Sequence, residues 1–326
     1  MNPEPAAPTR LRVKAVTWQT PLVHSIVLES LGGQALPAVR PGAHIDLRLG
    51  AGLSRSYSIV GTAGAASRYE IAVAKDPKSR GGSRYVHEVL RVGDEIEVGA
   101  PRNLFELVTD APHSVLMAGG IGITPIWAMV QALERLARPW TLHYAARSRV
   151  HAAFLAEIDA LASHSAVGRL LTHFDDEAGG APMDVAAAVA AAPADAHLYC
   201  CGPAPMLAAY ELAAAQRPPD RVHLERFAPV EPQQAPARQG FDVVLNRSGR
   251  TLAVPADKSI LDVLLDHGID APYGCMQGVC GMCEVAVLGG TPDHRDQILS
   301  ESDRVSNTKL MVCCSRSRTP ALTLDL

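Results

Sequence analysis

The stretch Cys275-Met276-Gln277-Gly278-Val279-Cys280-Gly281-Met282-Cys283 sets three thiols at intervals of x4 and x2, and a distant pair follows at Cys313-Cys314. Plant-type [2Fe–2S] clusters take this ligand spacing. Two irons need four thiolates, so three come from one tight loop and the fourth from a distant strand. Such a loop must wrap a compact anionic cluster with its amides turned toward sulfur, and Gly278 and Gly281 permit that close approach. Zinc is the competing reading of a C-x2-C pair with further cysteines. The x4 interval and the adjacency of Cys313 and Cys314 suit zinc poorly. The metal ligands expected are Cys275, Cys280, Cys283 and Cys313. Cys314 is then an ordinary buried thiol, and Cys200 another at a strand end.

Around this loop the local patterns describe a small α+β, ferredoxin-like (β-grasp) domain over residues 240–326. FDVVLN and TLAVP read as a hairpin and EVAVL as a strand. SILDVLLDHG reads as a short helix, with Ser259 and Asp262 as a capping box and Gly268 just past its end. Before it, residues 229–239 are rich in Pro and Gln and predict a semi-extended linker. Residues 109–228 alternate strand and helix: HSVLMAG, a glycine turn and an amphipathic helix, then WTLHYAAR, HAAFLAEIDALAS, GRLLTHF, the alanine-rich run at 184–192, AHLYCCG and PMLAAYELAAAQ. That alternation predicts a doubly wound parallel α/β sheet. Thr124 is the expected N-cap of the first helix, with Pro125 at its first position. Residues 1–108 carry short β-rich runs punctuated by Gly and Pro and predict a small antiparallel β-barrel.

Composition narrows the function classes. The chain has 326 residues, 48% of them hydrophobic, and a formal net charge of −4. That balance argues against a nucleic-acid-coating protein. No run of about 18 apolar residues predicts a membrane span, and the N-terminus does not read as a secretory signal. Clustered cysteines, seven in all, fit metal binding in a reducing, cytoplasmic setting better than disulfides.

Two sets of motifs precede the cysteines. Arg55-Ser56-Tyr57-Ser58 ends a predicted barrel strand. Its arginine can hold a flavin phosphate, its tyrosine can lie against an isoalloxazine, and its last serine can reach N5; an ordinary surface strand would read the same way. Arg80-Gly81-Gly82-Ser83 can cradle a phosphate with backbone N–H groups, or be a simple loop. Gly119-Gly120-Ile121-Gly122-Ile123-Thr124-Pro125 joins strand to helix where nucleotides bind in open α/β sheets, although it lacks the full G-x-G-x-x-G pattern. Cys201-Gly202-Pro203 repeats that strand–turn–helix logic and points at the same crevice. The twelve histidines show no pattern and read as exposed or hydrogen-bonded structural residues.

In order, R-S-Y-S, R-G-G-S, G-G-I-G-I-T-P, Y-C-C-G-P, H-L-E-R-F, C-M-Q-G-V-C-G-M-C, D-H-R-D and V-C-C-S-R resemble the phthalate dioxygenase reductase family over nearly the whole chain. That family supplies electrons to Rieske-type aromatic-ring oxygenases and O-demethylases. The resemblance implies FMN as the flavin, with the R-G-G-S loop on its phosphate, and NADH as the nucleotide. It implies that Arg55, Tyr57, Ser58 and Ser83 touch FMN, that Thr124 and Cys201 lie near the nicotinamide, and that Phe227 lies over the flavin ring. Ser58, Thr124, Cys201 and Phe227 are accordingly the candidate catalytic residues. Ser56, Arg80, Gly81, Gly82, Gly120, Gly122, Arg147, Gly202 and Pro203 complete the candidate cofactor-binding set. Gly274 stands where relatives often carry Ser, which removes one hydroxyl near a cluster sulfur.

The chemistry implied is a conversion. NADH gives two electrons as a hydride, a [2Fe–2S] cluster takes one at a time, and a flavin does both. A fused ferredoxin makes the second transfer intramolecular, at high effective concentration. The expected partner is a terminal oxygenase. Alternatives are a reductase for a P450 or a desaturase, an electron-transfer subunit of a flavin dehydrogenase, and a redox sensor. The dehydrogenase subunits carry a different cysteine spacing, and a sensor needs an output module for which the three segments leave no room. Residues 240–326 hold 11 Asp+Glu and 8 Lys+Arg, an acidic excess suited to a basic patch on a partner. After WTLHYAA come Arg147-Ser148-Arg149 and no carboxylate before Glu157. These arginines could accept a 2′-phosphate, whereas the resemblance implies NADH. The expectation is a shallow NADH preference.

Overall fold

Strand β1 (Thr9–Thr20) buries Leu11 and Val13 and exposes Arg10 and Arg12, the period-two signature of a half-buried strand. A computed structural model describes residues 8–50, 53–62, 64–77, 79, 81–228 and 239–326. Arg80 and nearly all of the expected linker lie outside the described residues. The chain divides into two units, Met1–Arg226 and Phe227–Leu326.

In the first unit β1 is joined by β2 (Val23–Ser30), β3 (Ala43–Arg48), β4 (Ser54–Gly61), β5 (Arg68–Ala74), helix α1 (Gly82–Glu88), β6 (Glu95–Val98) and β7 (Arg102–Asn103). The strand order is β4-β5-β2-β1-β6-β3, and β3 pairs back onto β4. This closes a six-stranded antiparallel barrel, with β7 added beside β3. Closure removes the open edges. Leu11, Val13, Ile26, Leu28, Ile45, Leu47 and Ile71 fill its core.

The same unit continues through β8 (Ser114–Gly119), α2 (Ile123–Arg135), β9 (Trp140–Ala146), α3 (Leu155–His164), β10 (Gly168–Phe174), α4 (Val185–Ala191), β11 (His197–Cys201), α5 (Ala204–Ala214) and β12 (Val222–Glu225). The sheet is parallel throughout, in the order β10-β9-β8-β11-β12. Every residue of β8 is buried, as a central strand covered on both faces requires. The chain winds outward from β8 through β9 and β10, then returns to β11, so β8 and β11 flank the topological switch point. Barrel and sheet share a core: Val60 and Ala72 cluster with Ile126, Trp127 and Val130. Gln131 Nε2 of α2 donates to the Val60 carbonyl at 3.1 Å, and the Val108 amide donates to the Tyr199 hydroxyl at 3.0 Å.

The second unit contains β13 (Phe241–Leu245), β14 (Thr251–Val254), α6 (Ile260–Asp266), β15 (Glu284–Gly289), β16 (Pro292–Asp293), α7 (Glu301–Ser306), β17 (Lys309–Met311), β18 (Arg316–Ser317) and β19 (Ala321–Leu324). Its main sheet runs β14-β13-β19-β15-β17, with β13 and β19 parallel. The capping box predicted at Ser259 is present: the Asp262 amide donates to Ser259 Oγ at 3.0 Å and the Ser259 amide to Asp262 Oδ2 at 2.9 Å. Gly268 follows the helix with φ of 69°.

Two local expectations are corrected. Thr124 is not an N-cap. A 3-10 turn at Gly120–Gly122 runs straight into α2, so the helix starts two residues earlier and the Thr124 hydroxyl donates back to the Ile121 carbonyl at 3.0 Å. The helix expected from His151 begins at Leu155, because Arg149–His151 form a separate turn and Phe154 takes φ of 59°.

The turns after β8 and β11 pack backbone on backbone. A Cβ on Gly122 would lie 2.2 Å from the Cys201 carbonyl oxygen, and one on Gly119 would lie 2.6 Å from Pro203 Cδ. Gly122→Ala is therefore expected to cost about 1–3 kcal/mol, the range for overpacking a closed site. Thermal melting checks this: a lowering of Tm by several degrees is expected, and an unchanged Tm would mean that the two turns can part freely.

Candidate active site and cluster loop

Because the two turns touch, the carboxyl ends of β8 and β11 form one crevice. Gly120, Gly202 and Pro203 stand at its edge and Gly122 is buried beneath the Cys201 carbonyl, while no side chain caps the start of α2 because the preceding turn takes up its first amide, Ile123 N–H donating to the Gly120 and Ile121 carbonyls. Thr124 is buried in that first turn. Arg147 follows β9 and is exposed.

On the barrel side, the register of β3 against β4 pairs His44 with Ser58 and Asp46 with Ser56. The Ser56 hydroxyl donates to Asp46 Oδ1 at 2.5 Å, and Arg102 holds the other oxygen at 2.6 Å. That hydroxyl is engaged inside the protein, leaving Ser56 only backbone groups to offer. Tyr57 packs against the barrel core, and burial raises its phenol pKa. A Cβ on Gly82 would fall 2.5 Å from Arg55 Cγ, so the start of α1 rests on the arginine. Gly81 precedes it with φ of 100°, and Ser83 Oγ accepts from the Asp76 amide at 3.1 Å. The fold thus brings the R-S-Y-S strand and the end of the R-G-G-S loop together.

Three polar groups near this junction lack hydrogen-bond partners: Ser58 Oγ, Glu225 Oε2 and both ring nitrogens of His44. Glu225 ends β12 in register with Cys201. Burial raises its carboxyl to about 8, and the Ser58 hydroxyl lies close enough to oppose this in part without meeting hydrogen-bond geometry. Burial likewise lifts the Cys201 thiol well above its ordinary value. Burial, then the nearby Arg102 charge, pushes His44 down to about 4, so its ring is neutral. Buried polar groups normally have partners. The nitrogen- and oxygen-rich edge of a flavin beside a phosphate cradle would supply them, so these residues fit the group. His44 departs from the hydrogen-bonded or exposed role expected of the histidines. His44 does not stand out in the sequence, where it is one polar letter in a strand, and Glu225, although part of H-L-E-R-F, takes no role from that motif. Phe227 opens the second unit, 41% exposed.

In the second unit, Cys275, Cys280, Cys283 and Cys313 are all buried. They stand as two neighbouring pairs. Cys280 thiol and the amides of Val279 and Gln277 hold the Cys275 thiol down, to about 7, against burial. The neighbouring Cys313 thiol, then burial, raises the Cys283 thiol, and the Gly278 backbone lies close enough to Cys313 to lower its thiol in part. The amides of Cys275 and Gln277 lie 3.3 Å from the sulfurs of Cys280 and Cys275. No group of three or more His, Cys, Asp or Glu among the described residues is arranged around a single metal ion. Two thiol pairs with nearby amides fit a [2Fe–2S] cluster held by four thiolates. Cys314 differs from expectation in being half-buried; its sulfur lies 3.8 Å from the Met311 carbonyl. Gly278 has φ of 73°, and a Cβ there would sit 2.5 Å from Cys314 Sγ.

The chain matches the 2Fe-2S iron-sulfur cluster binding domain over residues 243–318 and the oxidoreductase NAD-binding domain over residues 116–211. It is 51% identical to phenoxybenzoate dioxygenase subunit beta of Ectopseudomonas oleovorans, covering 98% of both chains. Among solved structures it is similar to phthalate dioxygenase reductase, with TM-score 0.76 and 33% identity over 98% of each chain. The chain belongs to the phthalate dioxygenase reductase family. This reductase is an oxidoreductase whose cofactors are FMN, a [2Fe–2S] cluster and NADH. The reductase also resembles an intact type IV self-sufficient cytochrome P450 monooxygenase, with TM-score 0.83 and 38% identity; 98% of the chain is covered, and it spans 41% of that protein's length. No helix among the described residues is long and apolar enough to cross a membrane.

Cys275→Ser, Cys280→Ser, Cys283→Ser and Cys313→Ser are each expected to lose the cluster absorbance, while Cys314→Ser keeps it. Iron content and visible spectra of the purified variants check this; bleaching by Cys314→Ser alone would reverse the choice of fourth ligand. Glu225 gives a pH signature. Its folded pKa of about 8 lies above its unfolded value, so the folded state binds the extra proton and stability falls as pH rises from about 4.5 to about 8. Glu225→Gln is expected to melt several degrees above the parent at pH 8.5 and level with it near pH 5, by calorimetry at both pH values.

Proposed function

We propose that this reductase takes electrons from NADH at the crevice between the β8 and β11 turns and delivers them singly to a Rieske-type aromatic-ring oxygenase or O-demethylase. FMN, when bound, accepts the hydride and releases electrons one at a time to the cluster. The chain's own residues prepare that exchange. Arg55 and the start of α1 hold the phosphate, and the orphaned Ser58 hydroxyl faces the reacting edge. Cys201 stays a neutral thiol, and Glu225 keeps a proton at neutral pH beside Ser58. Thr124 and Cys201 serve the nicotinamide. In the second unit Cys275, Cys280, Cys283 and Cys313 hold the cluster. Carriage of both centres on one chain keeps their effective concentration high. We place the protein in the cytoplasm, where NADH is available and thiolate-bound iron is protected.

The convergence of buried Ser58 and Cys201 with Glu225, half-buried but with Oε2 shut from solvent, carries the NADH–flavin part of this reading. The oxygenase partner rests on whole-length similarity to a dioxygenase subunit. A P450 partner is the second reading, favoured by likeness to the self-sufficient P450. Stopped-flow mixing of the NADH-reduced protein with a purified Rieske oxygenase, and separately with a P450, distinguishes them. Fast cluster-to-Rieske transfer that slows as salt rises is expected, because the ferredoxin portion carries 11 acidic against 8 basic residues. Transfer to the P450 alone would overturn the Rieske assignment.

A further inference from the structure

The loops that follow β9 and β10 lie side by side, because those strands are parallel neighbours. The ladder continues into the loops: the Asp175 amide donates to the Ala146 carbonyl and the Asp176 amide to the Arg147 carbonyl, each at 3.1 Å. This sets the Asp175-Asp176-Glu177 loop beside Arg147-Ser148-Arg149, segments distant in sequence, and Glu177 pairs with Arg149. In nucleotide folds of this kind the end of the second strand receives the adenosine ribose, where an arginine accommodates a 2′-phosphate and a carboxylate disfavours it.

The two arginines are not equivalent. Arg149 is clamped at two of its three guanidinium nitrogens, with Nε 2.6 Å from Glu177 Oε1 and Nη2 3.2 Å from Oε2. Its guanidinium also stacks 4.5 Å over the Phe174 ring. Its Nε–Nη2 edge, one of the two edges that can grip an oxyanion bidentately, is therefore occupied by Glu177. The Ser148 hydroxyl is likewise taken, 2.7 Å from His151 Nδ1. Arg147 is exposed beside them.

We infer that Glu177 is a specificity residue: by holding the Nε–Nη2 edge of Arg149 and turning the guanidinium toward itself, it weakens that arginine's grip on a 2′-phosphate and so supports NADH use over NADPH. The inference rests on the NADH reading and adds the residue that enforces it. The carboxylate acts through Arg149 and through its own repulsion of a phosphate dianion, not by touching the nicotinamide. Asp175 and Asp176 add to the repulsion. The pair is half-exposed, with side chains 60% and 51% accessible, so water screens it and the effect is modest.

The test is steady-state kinetics with both nucleotides on the FMN- and cluster-loaded protein, for the parent, Glu177→Gln, Arg149→Ala and the double variant. Glu177→Gln is expected to raise kcat/KM for NADPH about threefold to tenfold, within the reach of an exposed ion pair. The gain should lie in KM, with NADH altered less than twofold. Adding Arg149→Ala should cancel it, since the two residues act as a coupled pair. Calorimetric affinities for 2′,5′-ADP and 5′-AMP should move in parallel: tighter 2′,5′-ADP binding in Glu177→Gln, unchanged 5′-AMP. If Glu177→Gln does not fold, Glu177→Ala carries the same expectations. A parent that prefers NADPH would sink the NADH reading itself. A parent that prefers NADH, with a variant whose nucleotide ratio and 2′,5′-ADP affinity stay at parental values, or whose two nucleotides decline together, would overturn the role of Glu177 alone.

Discussion

The contact of Gly122 on the Cys201 carbonyl is the constraint on which the first unit depends. Two βα turns meet with only backbone between them, 2.2 Å being left where a Cβ would stand. That closeness brings the ends of β8 and β11 to one crevice. It also fixes Cys201, and through the β11–β12 register Glu225, against the barrel strand that carries Ser58. A side chain at Gly122 would separate the turns and move the thiol and the carboxyl away from the hydroxyl together.

The polar groups gathered at this junction are poorly satisfied. Isolated buried hydroxyls and carboxyls cost free energy, and Ser58, Glu225 and His44 remain unpaired where barrel and sheet meet. The same unit also leaves the Ser114 and Tyr210 hydroxyls unpartnered away from the junction, while Ser56, Asp46 and Arg102 form a satisfied chain within the barrel. What sets the junction apart is that three such groups gather there, one of them a carboxyl, as a site shaped for a polar ligand edge would have them. Protonated Glu225 and neutral Cys201 are also what a low-dielectric site imposes on acids without cationic partners.

The cluster loop follows a parallel logic in the second unit. Gly278 has a positive φ, its backbone lies close to Cys313, and Cys314 fills the space beside it. Amides aimed at sulfur favour thiolate, and Cys275 with Cys280 and Cys283 with Cys313 stand as the thiols that would hold a [2Fe–2S] cluster. In both units a glycine is required because backbone, not side chain, approaches the chemistry.

The residues alone determined whatever depends on near neighbours along the chain. Cysteine intervals, the Ser259–Asp262 capping box, the period-two strands and the strand–helix alternation are all local, and each was legible. The helix starts at Thr124 and His151 were misread because a 3-10 turn and a positive-φ phenylalanine compete with capping signals that the letters alone cannot rank. Tertiary structure alone decided what depends on residues far apart: that His44 and Glu225 converge on Ser58, that Ser56 is engaged by Asp46, and that β19 pairs beside β13. It also supplied the carboxylate that seemed missing after β9. Glu177 belongs to the next strand's loop, and only the parallel register of β9 and β10 carries it to Arg149. Hydrogen-bond ladders join strands across long loops, and no spacing within one segment encodes which loop will arrive alongside.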